Sequence, residues 1–445
     1  MREQAPSLRR QLLTSAGCTL GVRVAAILAS MAAAIVLARA MGPGAFGTYA
    51  YVFAISSLLA APAQLGIPAL VTRETARSHA LEAWPEMKGL WRWAYRSILA
   101  MSMTLAACGL LYVVLDRGEG DAQRAWTLAA GFLLVPLIAL SSARGAALSG
   151  LRFVARGQFP DGVMRPLLLI LFVGTAWMLG GSISAPSAMA WHVLAAAISL
   201  VAGTVMLLKM RPDALPAAVA DTARAAEWWR AALPLALVTG LQALNEQVGL
   251  VVLGYYRPDE EAGLYKVATS AAALTLLGMQ ATALVAAPHI ARLHALGERD
   301  RLQRLLALGA LAGVAMTVPV VLVLSFGGRL VITALFGGAY VGALQPLLIL
   351  CAAQAVNAAF GLNAVLLAMT GMERDAVSWL ALAAGGNVVL CVVLVPGMGA
   401  AGSAYAQFAS MLVWNIAFWA MARTRLGLDT SIAAVLLQGL RSRSS

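Results

Sequence analysis

The sequence predicts an all-α integral membrane protein: about twelve transmembrane helices in two six-helix lobes, related by a parallel internal repeat. Three observations predict it. The 445 residues are 61% hydrophobic and only 12% charged, well outside the range of soluble domains. Apolar runs of about 18 residues or more recur along the whole chain, continuous and not alternating, so the backbone must satisfy its polar groups within helices. One short signature occurs twice. Gly42-Pro43-Gly44-Ala45-Phe46-Gly47-Thr48-Tyr49 returns as Arg257-Pro258-Asp259-Glu260-Glu261-Ala262-Gly263-Leu264-Tyr265, with both Gly47 and Gly263 and Tyr49 and Tyr265 spaced by 216 residues.

The spans follow in order from the apolar runs and the charges that bound them. The first, 14–38, follows Arg9 and Arg10; the second, 48–71, stops before Arg73 and Arg77. The third, 95–115, begins after Lys88 and Arg92, and the fourth, 126–148, ends near Arg144 and Arg152. The fifth, 162–180, and sixth, 188–208, complete a half that closes on a basic linker at 209–230. After it come 231–254, 264–290, 305–326, 343–370, 376–395 and 402–422. The lobes are therefore 1–208 and 231–422, followed by a tail at 423–445. Each copy of the signature lies after the first span of its half. An even number of spans separates them, so the halves share one orientation, and such a repeat interface is where transporters place their substrate.

Lys and Arg set the sidedness. With the amino terminus inside, 25 of them fall on the cytoplasmic side, and only Arg117, Arg124, Arg257 and Arg329 on the other. The positive-inside rule then puts both termini in the cytoplasm of a multi-pass protein. The amino-terminal apolar run continues to Ala40 without a cleavage site, which fits an uncleaved first span better than a signal peptide. Trp84, Trp91, Trp93, Trp228 and Trp229, near cytoplasmic span ends, suit an interfacial belt. Residues 426–440 have helical apolar spacing before Arg441 and Arg443, as in a helix lying on the inner leaflet.

The net charge of +12 is spread over loops and not gathered on one face, which argues against nucleic acid. Cys18, Cys108, Cys351 and Cys391 have no metal or disulfide spacing and read as small core residues. No paired intramembrane carboxylates, ligand cluster or phosphate-binding loop occurs, so no enzyme chemistry, metal or cofactor is expected.

Ionisable groups within spans are the functional candidates, because burying them is costly. Arg23 lies about ten residues into the first span. Either it faces a cavity, where its fork of donors suits a phosphate or carboxylate, or it and Arg39, about 24 Å further along the helix, snorkel to opposite interfaces. Glu246 is the acid well inside a span, and with Gln242 and Asn245 it forms a polar stripe in the seventh. Gln354, Asn357, Asn363, Asn387, Gln407 and Asn415 suit sugar hydroxyls or neighbouring helices. Spans one to six hold no acid deep in the membrane on this reading. His192 and His289 sit singly near span ends.

Ala38-Arg39-Ala40-Met41 before the first signature, Gln64-Leu65-Gly66-Ile67-Pro68 and Val71-Thr72-Arg73-Glu74 after it resemble the opening of Wzx-type polysaccharide flippases. These belong to the multidrug/oligosaccharidyl-lipid/polysaccharide (MOP) exporter superfamily. Leu148-Ser149-Gly150-Leu151-Arg152-Phe153, Ala262-Gly263-Leu264-Tyr265, Leu335-Phe336-Gly337-Gly338-Ala339-Tyr340 and Pro396-Gly397-Met398-Gly399-Ala400-Ala401-Gly402-Ser403-Ala404 match as well, so the resemblance spans the chain. It implies two lobes around a central cavity that flips an undecaprenyl-pyrophosphate-linked oligosaccharide across a bacterial inner membrane by alternating access. Membrane lipids, a polysaccharide polymerase and a chain-length regulator are the implied partners. On this reading Arg23, Arg39, Gln242, Asn245, Glu246 and Asn357 contact substrate. Relatives carry an Asp followed by a basic residue near Glu246, where this chain has Asn245-Glu246-Gln247. Rival readings are a multidrug or lipid II exporter of the same superfamily and, from another class, an integral membrane polymerase or ligase.

Overall fold

The computed structural model describes residues 8–115 and 122–433, with side chains from 17 onward except 373 and 374. Every regular element among them is helical. The stretch Leu8–Gln64 breaks at Gly42 (φ 73°, ψ 173°) into α1 (residues 8–41) and α2 (residues 43–64). Then come α3 (Ile67–Ala80), α4 (Trp84–Leu115) and α5 (Ala122–Gly150). The next are α6 (Val154–Met178), α7 (Ala185–Met210), α8 (Ala225–Tyr256), α9 (Asp259–Ala295), α10 (Arg299–Leu335) and α11 (Gly338–Phe360). A short α12 (Asn363–Met369) precedes Glu373–Met421, which breaks at Gly399 into α13 (residues 373–398) and α14 (residues 400–421). Ten stretches among the described residues are long and apolar enough to cross a bilayer, and two of them break into two helices each, at Gly42 and Gly399, which makes twelve helices of spanning length.

The 216-residue offset relates more than the signature. It carries the start of α5, Ala122, onto the start of α11, Gly338, and the combined α2–α3 stretch (43–80) onto α9, Asp259–Ala295. The start of α4, Trp84, lands within a residue of that of α10, Arg299.

Two expected spans are interrupted. The second ends at Gln64, because Leu65 (φ 50°) and Gly66 (φ 65°) turn the chain before α3 starts on Ile67-Pro68. A Cβ at Gly66 would lie 2.3–2.6 Å from backbone atoms of Ala232, Leu235 and Ala236, so both the turn and the close approach require glycine. The tenth breaks at Gly361 (φ 69°), separating α11 from α12. Conversely, the fifth begins earlier than expected: α6 starts at Val154 and runs through a π-helical turn at Pro160–Met164.

By its internal packing the chain divides into residues 1–247 and 248–445, at a boundary inside α8. In the first unit Ile67, Leu70, Met87, Leu90, Ile98, Val135, Ala139 and Leu148 form one apolar core from α3, α4 and α5. Trp91, Trp93 and Trp228 belong to it, so three tryptophans expected at the lipid interface are buried instead. Trp91 Nε1 donates to Thr75 Oγ1 at 2.9 Å, and Trp93 packs on Trp228 and Trp229. The linker is held down: Lys88 Nζ donates to the carbonyls of Pro216 and Ala218 at 2.7 Å, and Asp221 N–H to that of Pro85 at 3.0 Å.

In the second unit, the signature and the Pro396–Ala404 segment meet through one carboxylate. Ala400 N–H, at the start of α14, donates to Glu261 Oε2 at 3.0 Å, an acid against a helix N-terminus. Gly399 (φ 56°) makes room, since a Cβ there would stand 1.7 Å from that oxygen. Cys351 and Cys391 are buried as expected, whereas Cys18 and Cys108 are exposed. Of the tail helix expected at 426–440, residues 427–430 are not helical, and residues 434–440 lie outside the described residues.

Before that point the chain is strapped to α10. Gln303 Nε2 donates to Asp429 O at 2.7 Å, and Asp429 N–H donates to Gln303 Oε1 at 2.9 Å. The Asp429 carboxylate accepts from Trp419 Nε1 and Ser431 N–H at 2.9 Å and from Ser431 Oγ at 2.7 Å. Partial burial pushes its pKa up, but these hydrogen bonds and the Arg423 charge outweigh it and hold the carboxyl below the usual range. A depressed folded-state pKa contributes stability above the ordinary carboxylate pKa, and that contribution is lost as pH falls through the depressed value. Asp429→Asn is therefore expected to lower the thermal midpoint at neutral pH. The gap from the unmodified protein should close below about pH 4; thermal unfolding of both proteins across pH 3–8 checks it.

Candidate functional site

Within the first unit a cavity of about 520 Å³ opens between α1, α3, α5 and α6. Small residues make it. On α5 the lining face is Ser141, Ser142, Gly145, Ala146 and Ser149, which recur at helical spacing. Pro68, Ala69 and Thr72 line it from α3, and Val22, Arg23 and Ala26 from α1. From α6 come Gly157, Gln158, Asp161, Gly162 and Arg165, a face that passes through the π-helical turn. Such turns often mark functional positions.

The charges are unevenly committed. Asp161, the acid in the lining, is ion-paired through Oδ2 to Arg144 Nη2. Arg144 lies behind the wall, its side chain wholly buried, and its Nη1 donates to Ser199 O at 3.1 Å. Ser199 Oγ in turn donates to the carbonyl of Pro160 at 2.5 Å, bracing the π-helical turn against α7. Room for the guanidinium comes from Gly203, where a Cβ would lie 1.2 Å from Arg144 Nη1. Arg23 and Arg165 enter none of the described ion pairs. The cavity thus carries two guanidiniums outside the described ion pairs, beside hydroxyl and amide groups. Such a set holds an oxyanion by charge and bidentate hydrogen bonds, with Thr72, Ser141, Ser142, Ser149 and Gln158 able to meet hydroxyls.

Of the residues singled out in the sequence, Arg23 lines this cavity. Arg39 is exposed near the other end of α1, about 24 Å from Arg23 along the helix axis, and takes no part in it. Asn245 is buried in α8 while Gln242 and Glu246 on the same helix are exposed, and none of the three reaches the cavity. Asn357 belongs to the second unit, in a chain of amides. Asn415 Nδ2 donates to Asn357 Oδ1 at 3.1 Å, Asn363 Nδ2 to Asn415 Oδ1 at 2.9 Å, and Asn387 Nδ2 to Gln407 Oε1 at 3.1 Å. These amides join helices to one another. His192 is likewise engaged, its Nδ1 2.7 Å from the Tyr49 hydroxyl and its ring stacked on Phe53.

One acid of the first half lies within a stretch of spanning length, Val154–Met178. Asp161 seemed to precede the fifth span, but the helix begins at Val154 and the turn at Pro160–Met164 carries Asp161 into the wall. Arg165, expected at a span end, faces the cavity for the same reason.

Comparisons bear on the whole chain. Among solved structures it is similar to an inward-facing multidrug-resistance MATE-family transporter of the MOP superfamily, at TM-score 0.72 and 14% identity, covering 93% of this chain and 98% of that one. It also matches the lipid II flippase MurJ in an inward closed conformation, at 0.70 and 11%, with 93% and 88% covered. A MOP-superfamily transporter from Pyrococcus furiosus, described as having a binding pocket of reversed polarity, aligns at 0.65 and 14%, with 94% and 95% covered. These likenesses establish a MATE- and MurJ-like fold. Among curated proteins no relative matches by sequence. The profile of one family does match, over residues 12–294, and by that match the chain belongs to the polysaccharide biosynthesis protein family.

Proposed function

We propose that this protein is a flippase that moves an undecaprenyl-pyrophosphate-linked oligosaccharide, an O-antigen or exopolysaccharide repeat unit, from the cytoplasmic to the periplasmic leaflet of a bacterial inner membrane. The observation that carries the reading is the cavity with Arg23 and Arg165 outside the described ion pairs and a hydroxyl-lined wall around them. The lipid tail can stay in the bilayer, whereas the charged pyrophosphate and the sugars need a cationic, hydrated passage. The 25-to-4 bias of basic residues supports cytoplasmic termini, and the cavity then lies toward the cytoplasmic side, where substrate is loaded. In this reading the lobes 1–208 and 231–422, joined by the linker 209–230 and followed by the tail 423–445, rock to expose the site to each face in turn. A polysaccharide polymerase and a chain-length regulator receive the product.

Guanidiniums facing the substrate repel a cationic drug, which disfavours a multidrug exporter. Deletion of the gene in its source bacterium tests the proposal. Surface polysaccharide should disappear while its lipid-linked repeat unit accumulates on the cytoplasmic leaflet. Unchanged surface polysaccharide together with hypersensitivity to cationic drugs would sink the reading, and a block in cell-wall synthesis instead would assign lipid II.

A further inference from the structure

We infer that Asp161 is the counter-charge that sets how tightly the cavity holds an anion and therefore how readily the anion leaves. The inference rests on the reading of the cavity as an anion site. Its grounds are positional. Arg144 is wholly buried and absent from the lining, whereas Asp161 lies in the lining with 26% of its side chain exposed. The negative member of the pair faces the space and the positive member is held behind it. An anion drawn to Arg23 and Arg165 therefore comes nearer to the Asp161 carboxylate than to the Arg144 charge held behind it. The Asp161 Oδ1 atom is enclosed without a hydrogen-bond partner, so the carboxylate lacks the full set of donors that would disperse its charge. A translocation site must attract its cargo and still release it. Two guanidiniums alone favour loading, and the facing carboxylate restores release.

A charge series separates this role from a structural one. Asp161→Asn raises the charge of the wall by one, Arg144→Gln lowers it by one, and the double variant removes the pair. The full-length proteins are placed in nanodiscs of neutral lipid and titrated calorimetrically with farnesyl pyrophosphate. Asp161→Asn is expected to bind about tenfold more tightly than the unmodified protein at low salt, and the gain should shrink as ionic strength rises. Arg144→Gln should bind more weakly, and the double variant should fall between the two. Asp161→Glu, which keeps the charge, should stay close to the unmodified protein. In export assays Asp161→Asn should lower KM and kcat together, because cargo held more tightly is released more slowly.

A carboxylate that serves only to hold the fold makes every charge-removing variant bind more weakly, so weaker binding by folded Asp161→Asn overturns the inference. If that variant does not fold, the double variant against Arg144→Gln makes the same charge step, and the double should bind about tenfold more tightly. Equal affinity there overturns it too. Failure of the underlying reading looks different: farnesyl pyrophosphate binding unaffected by Arg23→Gln removes the anion site itself.

Discussion

Arg23→Gln is expected to cut export of the lipid-linked glycan about a hundredfold, with the protein still inserted at its normal level. Loss of one partner from a charge-assisted contact in a partly desolvated site costs about 2–5 kcal/mol, or about thirtyfold and upward in binding. Arg23 is half-buried on α1 in the lining, and no described carboxylate pairs with it, so little of the fold depends on its charge. Arg23→Lys should keep part of the activity, because the charge survives while the bidentate fork is lost. Arg23→Ala should behave like Arg23→Gln. Export is read as surface polysaccharide per unit of flippase in the membrane. Wild-type export by both Gln and Ala variants would make Arg23 a snorkelling anchor and leave Arg165 as the cation that matters.

Gly203→Ala acts on the scaffold, through a buried charge. The added Cβ would occupy the place of Arg144 Nη1, 1.2 Å away. The guanidinium cannot step aside without leaving Asp161 and the Ser199 carbonyl, and breaking a buried pair costs about 3–5 kcal/mol. Thermal unfolding of the purified protein should show a midpoint lower by several degrees. Adding Arg144→Met and Asp161→Asn removes both the clash and the orphaned charges, and should recover most of that loss, since well-packed apolar replacements of buried pairs are often neutral. An unchanged midpoint in Gly203→Ala would mean that Arg144 has another place to go.

The span count, the breaks at Gly42 and Gly399 and the candidacy of Arg23 were legible in the sequence, because each interrupts a long apolar run with a charge or with a glycine near a proline. The breaks at Gly66 and Gly361 were not. Those runs are continuous, and at Gly66 the reason for the turn is the backbone of Ala232 and Ala236, far away in sequence. The site was half legible for a related reason. A charge near the end of an apolar run looks like a loop residue, and Pro160 reinforces the impression. Only the π-helical turn, braced from α7 by Ser199, shows Asp161 and Arg165 to be wall residues. The amide row of α11, α12 and α14 looked equally suited to sugars or to neighbouring helices, and Asn357 is paired with Asn415.

The 216-residue offset preserves where helices begin and end, yet it does not preserve what they carry. The positions that correspond to Arg23, Arg144, Asp161 and Arg165 are Thr239, Phe360, Val377 and Ala381. In the other direction Asn415 and Asn357 correspond to Ser199 and Ser141. At these positions one copy carries charges and the other carries neutral side chains, with amides where the first has hydroxyls. Polarity in this molecule therefore belongs to the copy and not to the fold: grafting the first half's charges onto the second would have to displace an aromatic ring and two aliphatic side chains before any anion could be held there.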